Sequence, residues 1–244
     1  MKSHTNVLLP LLGIHILCVC AMSAQEENSP RNSLQEGKWA LQFSINSNFT
    51  LSSFEGATLS AQYQTSDLSA WRAGVTMSGI SQKTTSQQTL YYAFPPSETN
   101  SSSNTIDQFS IDFALHRIWY LNTGDPVHLY LGAGPQVSYS HSKSDQQSNN
   151  NDLGGVPGSS ESVGRTTGWE AGASGLLGVE CFVTRSISLH AEYGLTILYA
   201  HSSSTEYSTG TSAPQEWVTS QYETKNNGWS LDPRSVLFGI SIFF

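Results

Sequence analysis

Ile187-Ser188-Leu189-His190-Ala191-Glu192-Tyr193-Gly194-Leu195-Thr196-Ile197-Leu198-Tyr199 is the stretch that decides the fold. Ile187, Leu189, Ala191, Tyr193, Leu195, Ile197 and Tyr199 fall on one face and Ser188, His190, Glu192, Gly194 and Thr196 on the other. That is the two-residue period of a strand, and no helical period competes with it. The next question is which face looks inward. Along the whole chain the polar rows carry Arg72, Asp112, His128, Glu170, Glu180, His190 and Glu192. So many charges do not fit beside a dry core, but they suit the polar interior of a barrel whose apolar row meets lipid.

Seven further segments repeat the alternation, at 39–46, 58–64, 70–80, 107–120, 127–140, 169–183 and 235–244. Together they predict an all-β fold, an eight-stranded antiparallel up-and-down transmembrane β-barrel. The connections at 65–69, 121–126 and 184–186 are short, whereas 81–106, 141–167 and 200–228 are long and rich in Ser, Thr, Asn, Gln and Gly, and read as loops. Short turns on one side and long loops on the other predict both termini in the periplasm and four external loops, the first near 47–56. Aromatics give a check independent of that assignment, since indole and phenol rings favour the membrane interface. Trp39, Trp71 and Trp119 fall at the short-turn ends, and Tyr139, Trp169, Tyr199 and Trp229 at the opposite ends. Trp217 falls inside a long connection and has no role in this scheme.

The first residues carry a different signal. Lys2 precedes an apolar run over 7–21, and Ser23 and Ala24 precede the acidic, turn-rich residues that follow. This order predicts a cleavable signal peptide over 1–24, a short periplasmic segment over 25–37 and the barrel domain over 38–244. Cleavage removes Cys18 and Cys20, so Cys181 is expected to be a small outward apolar contact with no disulfide in the mature chain. The composition agrees with a barrel: 38% of residues are hydrophobic but only 12% are charged, about half the charge of an ordinary soluble domain. The net charge of −8 and the lack of a basic patch predict no nucleic-acid partner.

The C-terminal strand, with Phe238, Ile240, Ile242 and the final Phe244 on one face, resembles the assembly signal of bacterial outer-membrane proteins. The segments 68–75 and 178–193 resemble the OmpA/OmpX-like outer-membrane β-barrel domain family, in the style of the small barrel proteins common in Bacteroidota. The resemblance covers essentially the whole mature chain. It implies a bacterial outer-membrane location and contacts with outer-membrane lipid and lipopolysaccharide. Handling by periplasmic chaperones and the barrel-assembly machinery is implied as well, and an extracellular ligand is left unidentified.

The inward charges are expected to form a stabilising network rather than an ion path, with Arg72 paired to Glu180 or Glu192, because an eight-stranded lumen is nearly filled by side chains. Arg117 lands on the outward parity, which predicts either a snorkelling side chain or a bulge before it. Some small outer-membrane barrels hydrolyse lipid A with a His-x-Ser pair and a downstream Glu. His201 and Ser203, with Glu206 or Glu216, are the counterpart here, although serine-rich sequence produces such pairs by chance. His128 and His190 lie on separate strands without a third ligand, so no metal and no cofactor are expected. The leading expectation is a non-enzymatic structural or surface-interaction barrel; a narrow passive pore and a lipid A hydrolase are the alternatives.

Overall fold

The structure is a computed structural model that describes residues 34–50, 55–90, 98–122, 127–151, 158–212 and 216–244. The described residues form nine antiparallel strands and no helix: β1 (Trp39–Thr50), β2 (Glu55–Ser66), β3 (Ser69–Leu90), β4 (Glu98–Tyr120), β5 (Val127–Asn151), β6 (Gly158–Phe182), β7 (Ile187–Ser212), β8 (Glu216–Pro233) and β9 (Leu237–Phe243). Consecutive strands pair from β1 through β7, and β9 pairs with both β7 and β1 to close the ring.

β8 and β9 are two halves of one barrel strand. β7 pairs with β9 up to Glu192↔Leu237 and with β8 from Leu195↔Pro233. Three residue steps on β7 thus face four on its partner, which makes 234–236 a β-bulge. The bulge also exchanges the faces. Ile240 and Ile242 are exposed below it, Trp229 and Leu231 above it, and the eighth strand reaches back to Glu216, well before the predicted start at 235.

The long connections correct the sequence reading most. Residues 81–90 and 98–106 continue β3 and β4, 141–151 and 158–167 continue β5 and β6, and 200–212 and 216–228 continue β7 and β8. Residues 51–54, 91–97, 152–157 and 213–215 lie outside the described residues. Hydroxyls bond across the pairs in these extensions, Ser86 with Ser102 at 2.7 Å and Thr166 with Ser204. Backbone pairing continues there although both faces are polar, so the hydrophobic period that announces a strand is missing. Trp217, expected in a loop, pairs through its backbone with Thr211.

β1 and β2 have 12 residues each, against 18 to 26 in β3 to β8. The extensions therefore form a six-stranded collar rising from one end of the ring. Among the described residues, β8 pairs only with β7.

Two outward residues behave differently from each other. Four β4 residues, Ala114 to Arg117, face four of β5, Gln136 to Ala133, so no bulge precedes Arg117. It keeps its outward parity, lies 5.3 Å from the centre of the Trp71 ring and donates to Ser69 Oγ at 2.8 Å, which is the snorkelling alternative. Cys181 has outward parity between inward Glu180 and Phe182, yet it is buried.

Candidate functional site: a plugged lumen and the chamber above it

The outer face carries the apolar row as predicted, and register assembles its aromatics into two belts. At the end where β1 begins and β9 finishes, Trp39 faces Tyr63 and Tyr63 faces Trp71, with the Trp39 and Tyr63 ring centres 4.9 Å apart; Trp119 sits beside Ser69. At the collar end Tyr139 faces Trp169 and Tyr199 faces Trp229, with ring centres at 5.9 Å for Trp169–Tyr199 and 5.4 Å for Tyr199–Trp229. Phe238, Ile240, Ile242 and Phe244 complete the outer row along the closing strand.

Inside, the end where β1 begins and β9 finishes is shut. Leu34, Ala40, Ala70, Ile118, Tyr120, Tyr130, Phe182 and Phe243 are buried against one another. Leu34 belongs to the segment before β1, where Gly37 adopts a positive φ of 84° and its N–H bonds to Gln64 O, so the chain turns under the mouth and adds a plug residue. Tyr130 fits because residue 178 has no side chain: a Cβ there would collide with the Tyr130 ring. His128 joins this layer edge-on to Phe182 with ring centres 5.6 Å apart, and its Nδ1 bonds to the Asn122 carbonyl.

A polar layer lies directly on the plug. Arg72 forms an ion pair with Glu192, bonds Gln42 Oε1 at 3.0 Å and lies 5.7 Å from the centre of the Tyr130 ring. Tyr130 donates its hydroxyl to Glu192 at 2.6 Å. Glu180, the other expected partner of Arg72, instead accepts from Tyr120 at 2.9 Å and from Ser188 and Ser241. His190 bridges Ser44 at 2.8 Å and Ser241 at 3.0 Å. The structure thus brings Arg72, Glu180, His190 and Glu192 into one connected layer. Asp112 sits higher and accepts from Ser138, while Glu170, half-buried further toward the collar, stands outside the layer.

Sequence reasoning missed the uncharged half of this layer. Gln42, Gln62, Tyr120, Tyr130 and Ser241 lie on the predicted inward rows and are buried, and Gln62 links Gln42 to the Tyr120 hydroxyl. Parity alone could have selected them. Arg234 was hidden for another reason, because the bulge that turns it inward has no signature in the alternation.

Above the layer the lumen opens into a chamber of about 70 Å³ lined by Arg72, Asp112, His116, Gln136, Ser174 and Arg234, among others. His116 bonds Ser174 Oγ at 2.7 Å. A larger hollow of about 440 Å³ follows inside the collar, lined by hydroxyl and amide side chains and by Glu206 and Tyr222.

The candidate hydrolytic residues are not brought together. His201 lies on the outer face beside Trp169, 5.7 Å between ring centres, and its Nδ1 meets Asn227 Oδ1. Ser203 follows on the same strand. Glu216 pairs through its backbone with Ser212, nine residues beyond Ser203 and so about 30 Å along an extended chain. Glu206, the nearer alternative, is engaged by Ser162 at 2.8 Å.

A family described as an outer membrane protein beta-barrel domain matches residues 13–231. Among solved structures, a major outer membrane protein from Thermus thermophilus is similar at 13% identity, covering 85% of this chain and 99% of that one, with a TM-score of 0.35. Acinetobacter baumannii CarO is similar at 11% identity, covering 88% and 100%, with a TM-score of 0.36. No curated protein matches the chain. The family match spans most of the sequence and agrees with the closed ring of antiparallel strands, its lipid-type outer face and its polar lumen: the chain belongs to the outer membrane β-barrel domain family.

Proposed function

We propose that this outer-membrane barrel is a non-enzymatic scaffold that presents its collar outside the cell and does not conduct solutes across the membrane. Both termini then face the periplasm. The observation that carries the reading is the plug: eight buried apolar and aromatic residues and the hydrogen-bonded layer on Arg72, Glu180 and Glu192 fill the lumen at the end opposite the collar. A pore would need water-lined continuity across that layer, and moving it would expose an ion pair and several paired polar groups at once.

The outer belts are suited to outer-membrane lipid and lipopolysaccharide, and the aromatic closing strand to the barrel-assembly machinery that receives the chain from periplasmic chaperones. The collar, six paired strands rich in hydroxyl and amide side chains, is the part suited to an extracellular ligand. Planar-bilayer recording of the purified protein tests the proposal. Silence is expected, and stepwise single-channel openings would overturn it. Mass analysis of lipid A from cells expressing the protein is expected to show unchanged acylation, and a lost acyl chain would restore the hydrolase alternative.

A further inference from the structure

Two residues that line the chamber carry buried polar atoms without a hydrogen-bond partner, Arg72 Nη2 and Gln136 Oε1. Arg72 is 5% exposed and Gln136 2%. One is a cationic donor and the other an acceptor. Two charged side chains complete the wall without bridging each other. Arg234, turned inward by the bulge and laid over Gly194, makes no ion pair among the described residues, and Asp112 has one carboxylate oxygen engaged by Ser138. A buried donor or acceptor left this way is costly unless something else completes it.

We propose that the chamber binds a small zwitterionic solute of amino-acid size, its carboxylate on the guanidiniums of Arg72 and Arg234 and its ammonium on Asp112 and the Gln136 amide oxygen. The complementary polarity is the argument. A simple anion would meet Asp112 and Glu192, and a simple cation would meet two arginines, whereas a molecule carrying both charges satisfies both sets. Guanidinium forks match a carboxylate in plane, and an ammonium offers donors to several acceptors.

Size agrees as well. A cavity of about 70 Å³ holds about five to seven water-sized positions at ~10–15 Å³ each, room for a molecule the size of glycine. Access is from the collar side. Gln136 and Ser138 continue along β5 on the same inward row to Ser142, Ser144 and Gln146, which line the collar hollow, and the plug closes the opposite end. The inference goes beyond the scaffold reading and survives its failure, since a leaky barrel could still hold the solute.

Isothermal titration of the full chain in lipid nanodiscs with glycine, acetate and methylammonium tests it. Glycine is expected to bind saturably, with acetate and methylammonium each at least about tenfold weaker. Arg234→Gln and Asp112→Asn should each weaken glycine binding about tenfold or more, and Arg234→Lys should retain most of it; a heat-dependent gel shift confirms that each variant is folded. The absence of saturable glycine binding would reduce the chamber to a water site and overturn the proposal. Acetate binding as tight as glycine would make it an anion site and overturn it equally, as would wild-type affinity in both charge-removing variants.

Discussion

The membrane-embedded ring and the collar are built from the same strands under opposite rules. In the ring, β7 alternates exposed Tyr193, Leu195 and Ile197 with buried Glu192, Thr196 and Leu198, and inward groups are tied to partners around the lumen. In the collar the same strand runs through Ser202, Ser203, Ser204 and Thr205, with hydroxyl side chains on both faces. Yet its pairing with β6 keeps one register from Cys181↔Leu189 to Ser160↔Gly210. Backbone ladders therefore propagate beyond the hydrophobic pattern that started them. What the collar lacks is a core, so the two regions should respond to mutation very differently.

The largest effect is expected where a buried charge loses its partner. Arg72→Ala leaves Glu192, 8% exposed, beneath the chamber without its counter-ion, and breaking a buried pair from one side costs ~3–5 kcal/mol. Urea unfolding of the purified protein, followed by the heat-dependent gel shift, should show a loss of that order; the double variant Arg72→Met/Glu192→Leu should regain much of it. A wild-type midpoint in Arg72→Ala would show that the layer is not what stabilises the ring. Next in size is Leu195→Arg, which puts a charge on the lipid face. A guanidinium near the middle of a bilayer costs ~2–4 kcal/mol in a β-barrel, and the same unfolding assay in lipid should register it. Smaller again is Gly178→Ala, whose new methyl group meets the Tyr130 ring. Overpacking of this kind costs ~1–3 kcal/mol, and it should loosen the plug enough for bilayer recording to detect brief openings that the native protein lacks.

These expectations follow the division between what sequence revealed and what it hid. The eight-stranded ring, its lipid-facing row and both aromatic belts were legible because one face of every strand is apolar, and parity then placed Arg72, Glu180, His190 and Glu192 inside together. The choice of Glu192 over Glu180 as the partner of Arg72 was not legible, because it depends on which rows of neighbouring strands come level. That is set by register, which leaves no mark in the alternation. The collar was misread for a related reason: Ser, Thr, Asn and Gln on both faces look like loop composition when no side of the strand is dry. The Leu34 plug was missed because one leucine before a strand carries no period at all.

The smallest effect completes the comparison on a single strand. Tyr207 lies twelve residues beyond Leu195 on the same face of β7, and the two are almost equally exposed on the protein, 45% and 44%. Accessible area alone would assign them equal tolerance. Their surroundings differ, however, because Leu195 lies between the aromatic belts and Tyr207 stands in the collar beside Val163 and Gln221, beyond the belt marked by Tyr199 and Trp229. Tyr207→Arg should therefore change the unfolding free energy by no more than about 0.5 kcal/mol, the usual range for a hydrated surface site, while Leu195→Arg shows its full penalty in the same assay. Equal penalties would place the collar in lipid and move the outer membrane boundary above the second aromatic belt. A penalty at neither site would remove the lipid from around Leu195 instead, leaving the apolar row to face something other than a bilayer.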